Sequence, residues 1–169
     1  MARVLFLIIP MPTVHAVAEN LFQSKIQDLR FKICKNSIMG VAKKIEDLEV
    51  CVAAKYFCVS IYKITEKEYL KKDFGLKDQI RRASISILSS ISEGFERNGN
   101  KEFIQFLSYS KGSAGEGRAQ LYIIKELNFI TEKEFAELND KITQISKMLS
   151  GFINYLKQSE LKGIKYKIG

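Results

Sequence analysis

The chain has 169 residues, 46% of them hydrophobic and 27% charged, with two prolines, ten glycines and no tryptophan. That composition excludes disordered, collagen-like and low-complexity classes and is long enough for one domain with its own core. A formal charge of +8 points toward a polyanionic partner without identifying one.

Residues 1–38 are read as an N-terminal extension. The run Val-Leu-Phe-Leu-Ile-Ile at 4–9 follows Arg3 and stops at Pro10 and Pro12, too short to cross a bilayer. Ala16-Val17-Ala18 has the A-x-A form of a signal cleavage site. Two readings fit: a signal peptide, or an upstream stretch translated from a start placed too early. The second is preferred, because heptad patterning begins only after Met39. Within this extension Leu21, Phe22, Ile26, Leu29, Phe31 and Ile33 are spaced as in a short helix.

From Ile45 onward the apolar period is helical, and a four-helix bundle is expected over 39–158. The first segment, about 45–65, places Leu48, Val52, Val59 and Tyr62 on one stripe. Residues 66–75 form a linker ending in Asp73-Phe74-Gly75, which turns the chain. The second segment, about 76–96, carries Ile80, Ala83, Ile87, Ile91 and Phe95. Glycine and asparagine at 98–100 mark a tight connection, and Asn100 is the expected N-cap of the third segment, about 101–128.

The seam of that third segment is Phe103, Leu107, Ser110, Ala114, Gly117, Leu121 and Ile124. Its small centre lets a neighbouring helix approach closely, one argument for self-association. Gly112, Gly115 and Gly117 each cost about 1 kcal/mol of helix propensity relative to alanine, so packing must compensate or the helix kinks. The fourth segment opens on a Thr131/Glu134 capping box and continues through Phe135, Leu138, Ile142, Ile145, Leu149, Phe152 and Leu156. Short connections between long segments imply an all-α, antiparallel up-down-up-down bundle, followed by a basic tail at 159–169.

Several chemistries lack their parts. His15 is the only histidine, which removes His-dependent triads, Glu-x-x-His di-iron bundles and H-E-x-x-H peptidases. Neither G-x-x-x-x-G-K-[ST] nor G-x-G-x-x-G occurs. Cys34, Cys51 and Cys58 are odd in number and lack C-x-x-C spacing, so neither a disulfide framework nor a zinc site is expected. Cys51 and Cys58, two helical turns apart, read as small core residues on one helix face, and the reducing cytoplasm is the expected compartment. No cofactor, metal, membrane association or catalytic residue is expected.

The stretch 75–121 carries a more specific signal. Gln79-Ile80-Arg81-Arg82-Ala83, Ser92-Glu93-Gly94-Phe95, Asn100-Lys101-Glu102-Phe103-Ile104-Gln105-Phe106-Leu107, and Gly112-Ser113 followed by Glu116, Arg118, Gln120 and Leu121 resemble the four-helix-bundle proteins encoded in intervening sequences of bacterial 23S ribosomal RNA genes. Glu126-Leu127-Asn128-Phe129-Ile130 extends the likeness, and Ile45-Glu46-Asp47-Leu48-Glu49-Val50 resembles the usual family beginning, in keeping with a start at Met39. The chain departs from the family pattern at Ser90 (usually asparagine), Leu88 (often proline) and Cys51 (commonly tryptophan). The resemblance implies a non-enzymatic bundle that assembles as a homopentamer with a basic surface. It also implies kinship with the accessory protein of diversity-generating retroelements, which works with nucleic acid.

Two sets of polar residues stand out. Gln79, Arg82, Glu93, Glu116, Arg118 and Gln120 are read as a buried or interfacial network fixing helix register and subunit contacts. Glu116 and Gln120 lie one turn apart. Glu93, in the last turn of its helix, opposes the helix dipole, so a cationic partner is expected, with Arg82 and Arg118 as candidates. The second set, Lys77, Arg81, Arg97, Lys101, Lys162, Lys165 and Lys167, is read as a surface that binds RNA or DNA backbones without sequence preference. An oligomeric scaffold with a protein partner is the alternative. A Mg²⁺-dependent nuclease built on Glu93, Glu102 and Glu116 is a weaker third. The charge itself is unevenly spread: residues 1–38 hold five bases and two acids, 157–169 four bases and one acid, and 39–156 eighteen bases and sixteen acids.

Overall fold

The computed structural model describes residues 44–97 and 99–158. The expectations for residues 1–38, the start at Met39 and the tail at 159–169 lie outside them. After a 3-10 turn, Ile45–Asp47, come α1 (Glu49–Ile64), α2 (Glu68–Lys72), α3 (Phe74–Glu96), α4 (Asn100–Glu126) and α5 (Glu132–Gln158). The described residues are all-helical and include no strand.

Four long helices pack in a ring: α1 on α3, α3 on α4, α4 on α5, and α5 back on α1. Ser84 Oγ lies 3.6 Å from Cys58 Sγ, and Arg81 Nε donates to Thr65 Oγ1 at 2.8 Å. Ser110 Oγ donates to the Ile87 carbonyl at 2.9 Å, and Ser86 and Ser113 share a 2.9 Å hydroxyl contact. Phe103 meets Phe152 edge-on, and Tyr122 meets Phe135. In each pair a later residue of one helix meets an earlier residue of the other. That order is compatible with the antiparallel arrangement expected.

The seams of α4 and α5 are buried throughout, from Phe103 to Ile124 and from Phe135 to Leu156. Fully burying one such Leu, Ile or Phe side chain is worth about 1.5–3 kcal/mol. The small centre of α4 is used within the chain. A Cβ on Gly117 would sit 3.0 Å from Ile142 Cδ1 and 3.8 Å from Ala83 Cβ, so α4 lies close to α3 and α5 at once. Gly112 and Gly115 face open space, and α4 is continuous through all three glycines.

Three expectations need correction. The core stripe of α1 is Val50, Cys51, Ala54, Phe57, Ile61 and Ile64, with Val59 and Tyr62 exposed. At 100° per residue Val59 points almost opposite to Phe57, and both faces of this helix are apolar in sequence. Second, the linker contains α2, and Asp73 caps α3 by accepting from the Leu76 N–H at 2.9 Å, placing Gly75 inside a helix rather than at a turn. Third, Gly99 occupies the N-cap of α4 and Asn100 begins the helix. In α3, Ile80, Ala83, Ile87 and Ile91 are buried as expected, joined by Gly94, whereas Phe95 is half-buried. Cys51 is buried and Cys58 half-buried, both as free thiols, and burial raises the Cys51 pKa.

The end of α4 is set by local chemistry. Asn128 adopts φ 56, its N–H bonds the Lys125 carbonyl at 2.8 Å, and the Phe129 N–H reaches the Ile124 carbonyl at 3.1 Å. This pair of bonds is the Schellman arrangement, which satisfies otherwise orphaned carbonyls.

Candidate functional site

Two of the expected nucleic-acid-binding residues sit near the α1–α2 connection. Lys77 Nζ donates to the Lys71 carbonyl at 3.1 Å and lies 4.6 Å from the Phe74 ring centroid. Arg81 is clamped: besides Thr65, it pairs with Glu66 at 2.6 Å and stacks 4.5 Å from the Tyr62 ring. The Arg81 and Lys71 bonds hold the Glu66 carboxyl below its ordinary pKa. Arg81 therefore ties α3 to the end of α1, and its charge is matched locally.

Arg97 and Lys101 flank the other end of α3. Twenty residues separate Lys77 from Arg97, about 30 Å of helix at 1.5 Å per residue, so the structure makes two patches rather than one. Arg97 pairs with Glu93 at 2.8 Å, approaches Glu102 at 4.0 Å and covers the Phe106 ring at 4.9 Å. Lys101 is exposed. Lys162, Lys165 and Lys167 lie outside the described residues.

The polar set does not form one buried network within the chain. Gln79, Arg82, Glu93, Glu116 and Arg118 are exposed, and only Gln120 is buried. Gln120 donates to Glu116 at 3.2 Å, as the one-turn spacing predicts, while its own Oε1 is buried without a hydrogen-bond partner among the described residues. Arg82 approaches Asp78 at 3.9 Å. The cationic partner of Glu93 is Arg97, one turn on in the chain, rather than Arg82 or Arg118. A helix-end carboxylate is served most cheaply by a cation at i+4.

The acids named for a nuclease do not converge. Glu93 and Glu102 share Arg97, but Glu102 and Glu116 are fourteen residues apart on α4, about 21 Å. No group of three His, Cys, Asp or Glu side chains placed to hold a metal ion occurs among the described residues.

Sequence reading missed two surfaces. One is a groove of about 540 Å³ along the α1–α3 seam, lined by Cys58, Val59, Tyr62, Lys63, Glu66 and Arg81. Tyr56 and Ile85, one helical turn away on α1 and α3, are also exposed. Its signal in sequence is the second apolar stripe of α1, the one that carries Val59 and Tyr62. The other is a cavity of about 700 Å³ where the α1–α2 and α4–α5 connections meet.

The expected capping box stands at the rim of this cavity. Glu134 accepts from the Thr131 N–H and hydroxyl, each at 3.0 Å, and returns its own N–H to Thr131 Oγ1 at 3.3 Å. Lys67 also pairs with it. The Lys67 bond foremost, and then the Thr131 backbone bond, lower the Glu134 pKa from 4.5 to about 2. Because the folded value is depressed, the stabilisation is present above 4.5 and is lost as pH falls through about 2. Lys67 is 43% exposed, so solvent screening limits the effect to about 1 kcal/mol. The wild type should exceed Glu134→Gln in urea midpoint at about pH 6 and converge with it near about pH 2. A gap that persists in acid would refute this assignment.

Residues 46–151 match the family described as 23S rRNA-intervening sequence protein. Among solved structures, the chain is similar to a protein of unknown function from the S23 ribosomal protein family of Bacteroides thetaiotaomicron. The two share 28% identity and a TM-score of 0.57, over 62% of this chain and 97% of that one. No curated protein matches. No helix among the described residues is long and apolar enough to cross a membrane.

Proposed function

The chain belongs to the 23S rRNA-intervening sequence protein family, and on that premise we propose a non-enzymatic, up-down-up-down bundle that self-associates and binds RNA or DNA. The observation that carries the reading is the apolar side chains left outside the core of α1 and α3. Val59 and Tyr62, 48% and 41% exposed, line a groove of about 540 Å³, and Tyr56 and Ile85 are exposed on the same two helices. Large apolar side chains left exposed in this way mark an interaction site. A second copy buries it, with a homopentamer the copy number implied by resemblance to the family. The exposed Gln79, Glu93, Glu116 and Arg118 are available to contacts between copies. Lys101 and the basic tail supply the phosphate-binding charge, which oligomerisation multiplies. The cytoplasm is the compartment proposed.

One observation favours the scaffold alternative. Lys67, Lys71, Lys72, Arg81, Arg82, Arg97 and Lys125 all stand within 4.0 Å of a carboxylate, so the charge of these seven is matched locally, Arg81 and Arg97 of the expected set included. Two measurements separate the readings. In light scattering the full chain should be an oligomer, and Val59→Glu with Ile85→Glu should yield a helical monomer. Affinity for a 23S ribosomal RNA fragment should fall steeply between about 50 and about 200 mM salt. An oligomer that ignores RNA at low salt leaves the scaffold, and a wild-type monomer overturns self-association.

A further inference from the structure

We infer that the cavity between the α1–α2 and α4–α5 connections is a docking site for an arginine side chain of a basic polypeptide partner. Tyr69 and Phe129 line it as parallel rings, 6.4 Å between centroids and 7° between planes. Tyr69 is 65% exposed, so most of this side chain is accessible to a ligand. The backbone bonds that close α4 around Asn128 fix the Phe129 main chain, so one anchor of the aromatic wall is in place before any ligand arrives.

The charge of the lining selects the ligand. Four glutamates, Glu68, Glu126, Glu132 and Glu134, face two lysines, Lys67 and Lys125. Both lysines are committed, Lys67 to Glu134 and Lys125 to Glu132 at 2.9 Å. Glu126 is exposed, and Glu68 pairs with Lys72 at 3.4 Å with both side chains 74% exposed, a weak surface bridge. On a chain of net charge +8 this is a local excess of acid. It repels phosphate and attracts a cation, and the parallel rings favour a flat one. A guanidinium stacks on aromatic faces while donating in its plane to carboxylates. An ammonium is compact and more strongly hydrated, so it gains less here. The volume, about 700 Å³, exceeds one guanidinium, and the remaining rim accommodates flanking peptide backbone. The inference stands apart from the nucleic-acid reading, since it needs no phosphate contact.

The test is calorimetric titration of the full chain with a peptide alternating glycine and arginine, and with its glycine–lysine counterpart. The arginine peptide should bind about tenfold more tightly than the lysine peptide, given the added stacking. Tyr69→Ala should remove most of that preference, and Glu68→Gln with Glu126→Gln should weaken both peptides several-fold. All three positions are exposed, and unchanged helical circular dichroism verifies that the variants fold. Equal affinity for the two peptides, insensitivity to Tyr69→Ala, or no binding would overturn the proposal. So would binding of a guanine-containing single-stranded RNA that Tyr69→Ala abolishes, which would make the rings a base-stacking site.

Discussion

Phe57→Ala is expected to lower the free energy of unfolding by about 3–5 kcal/mol, whereas Val59→Ala, two residues on, should change it by less than about 0.5 kcal/mol. Phe57 is fully buried and Val59 is 48% exposed, so only the first leaves a cavity. The core side of α1 packs on α3 and α5, and a vacancy there cannot collapse without moving a helix, which is why the upper end of the range applies. Urea denaturation of the two variants decides the matter. It should be done at low protein concentration, because burial of Val59 between copies would add a concentration-dependent term. Equal losses would return α1 to the register in which Val59 and Tyr62 face inward.

That register shows where sequence pattern stops being informative. In α5 one apolar stripe stands against a largely polar remainder, and in α4 a regular seam runs the whole helix despite exposed Tyr109, Tyr122 and Ile123; every expected seam residue of both is buried. In α1 the run Val-Cys-Val-Ala-Ala-Lys-Tyr-Phe-Cys-Val-Ser-Ile-Tyr is apolar nearly all round. Periodicity then supports two stripes on opposite faces, and only the position of α3 and α5 chooses between them. The Thr131/Glu134 capping box was legible because its chemistry lies within four residues. Arg97 as the partner of Glu93 is equally local, an i,i+4 pair within one turn. The end cavity was not legible, because Tyr69 and Phe129 come from connections sixty residues apart in the chain. As for the polar set, family likeness marks which residues belong together in sequence, while their exposure depends on what packs over them.

Gly94→Val is expected to be the most damaging of the glycine substitutions, costing about 3 kcal/mol through overpacking. A Cβ there would lie 2.6 Å from Phe106 Cβ and 2.9 Å from Phe103 Cδ2. Phe106 Cβ is fixed to the α4 backbone, so no rotamer change relieves the contact and α3 must move away from α4. Gly117→Ala meets a softer obstacle, the mobile end of Ile142 at 3.0 Å, and its gain in helix propensity should roughly cancel the crowding. Gly112→Ala and Gly115→Ala meet nothing within 4 Å and should each stabilise the chain by about 1 kcal/mol. Thermal unfolding of the four variants gives this order directly, and a neutral Gly94→Val would show that α3 and α4 are not in close contact at this point. Glycine is poorly suited to an open helical face, so its presence at 112 and 115 leaves a smooth strip beside Tyr109 and Lys111, all exposed. If that strip meets a second copy, Gly112→Ala and Gly115→Ala should raise the melting temperature of the single chain while loosening the oligomer, a pairing of effects that crowding inside the bundle cannot produce.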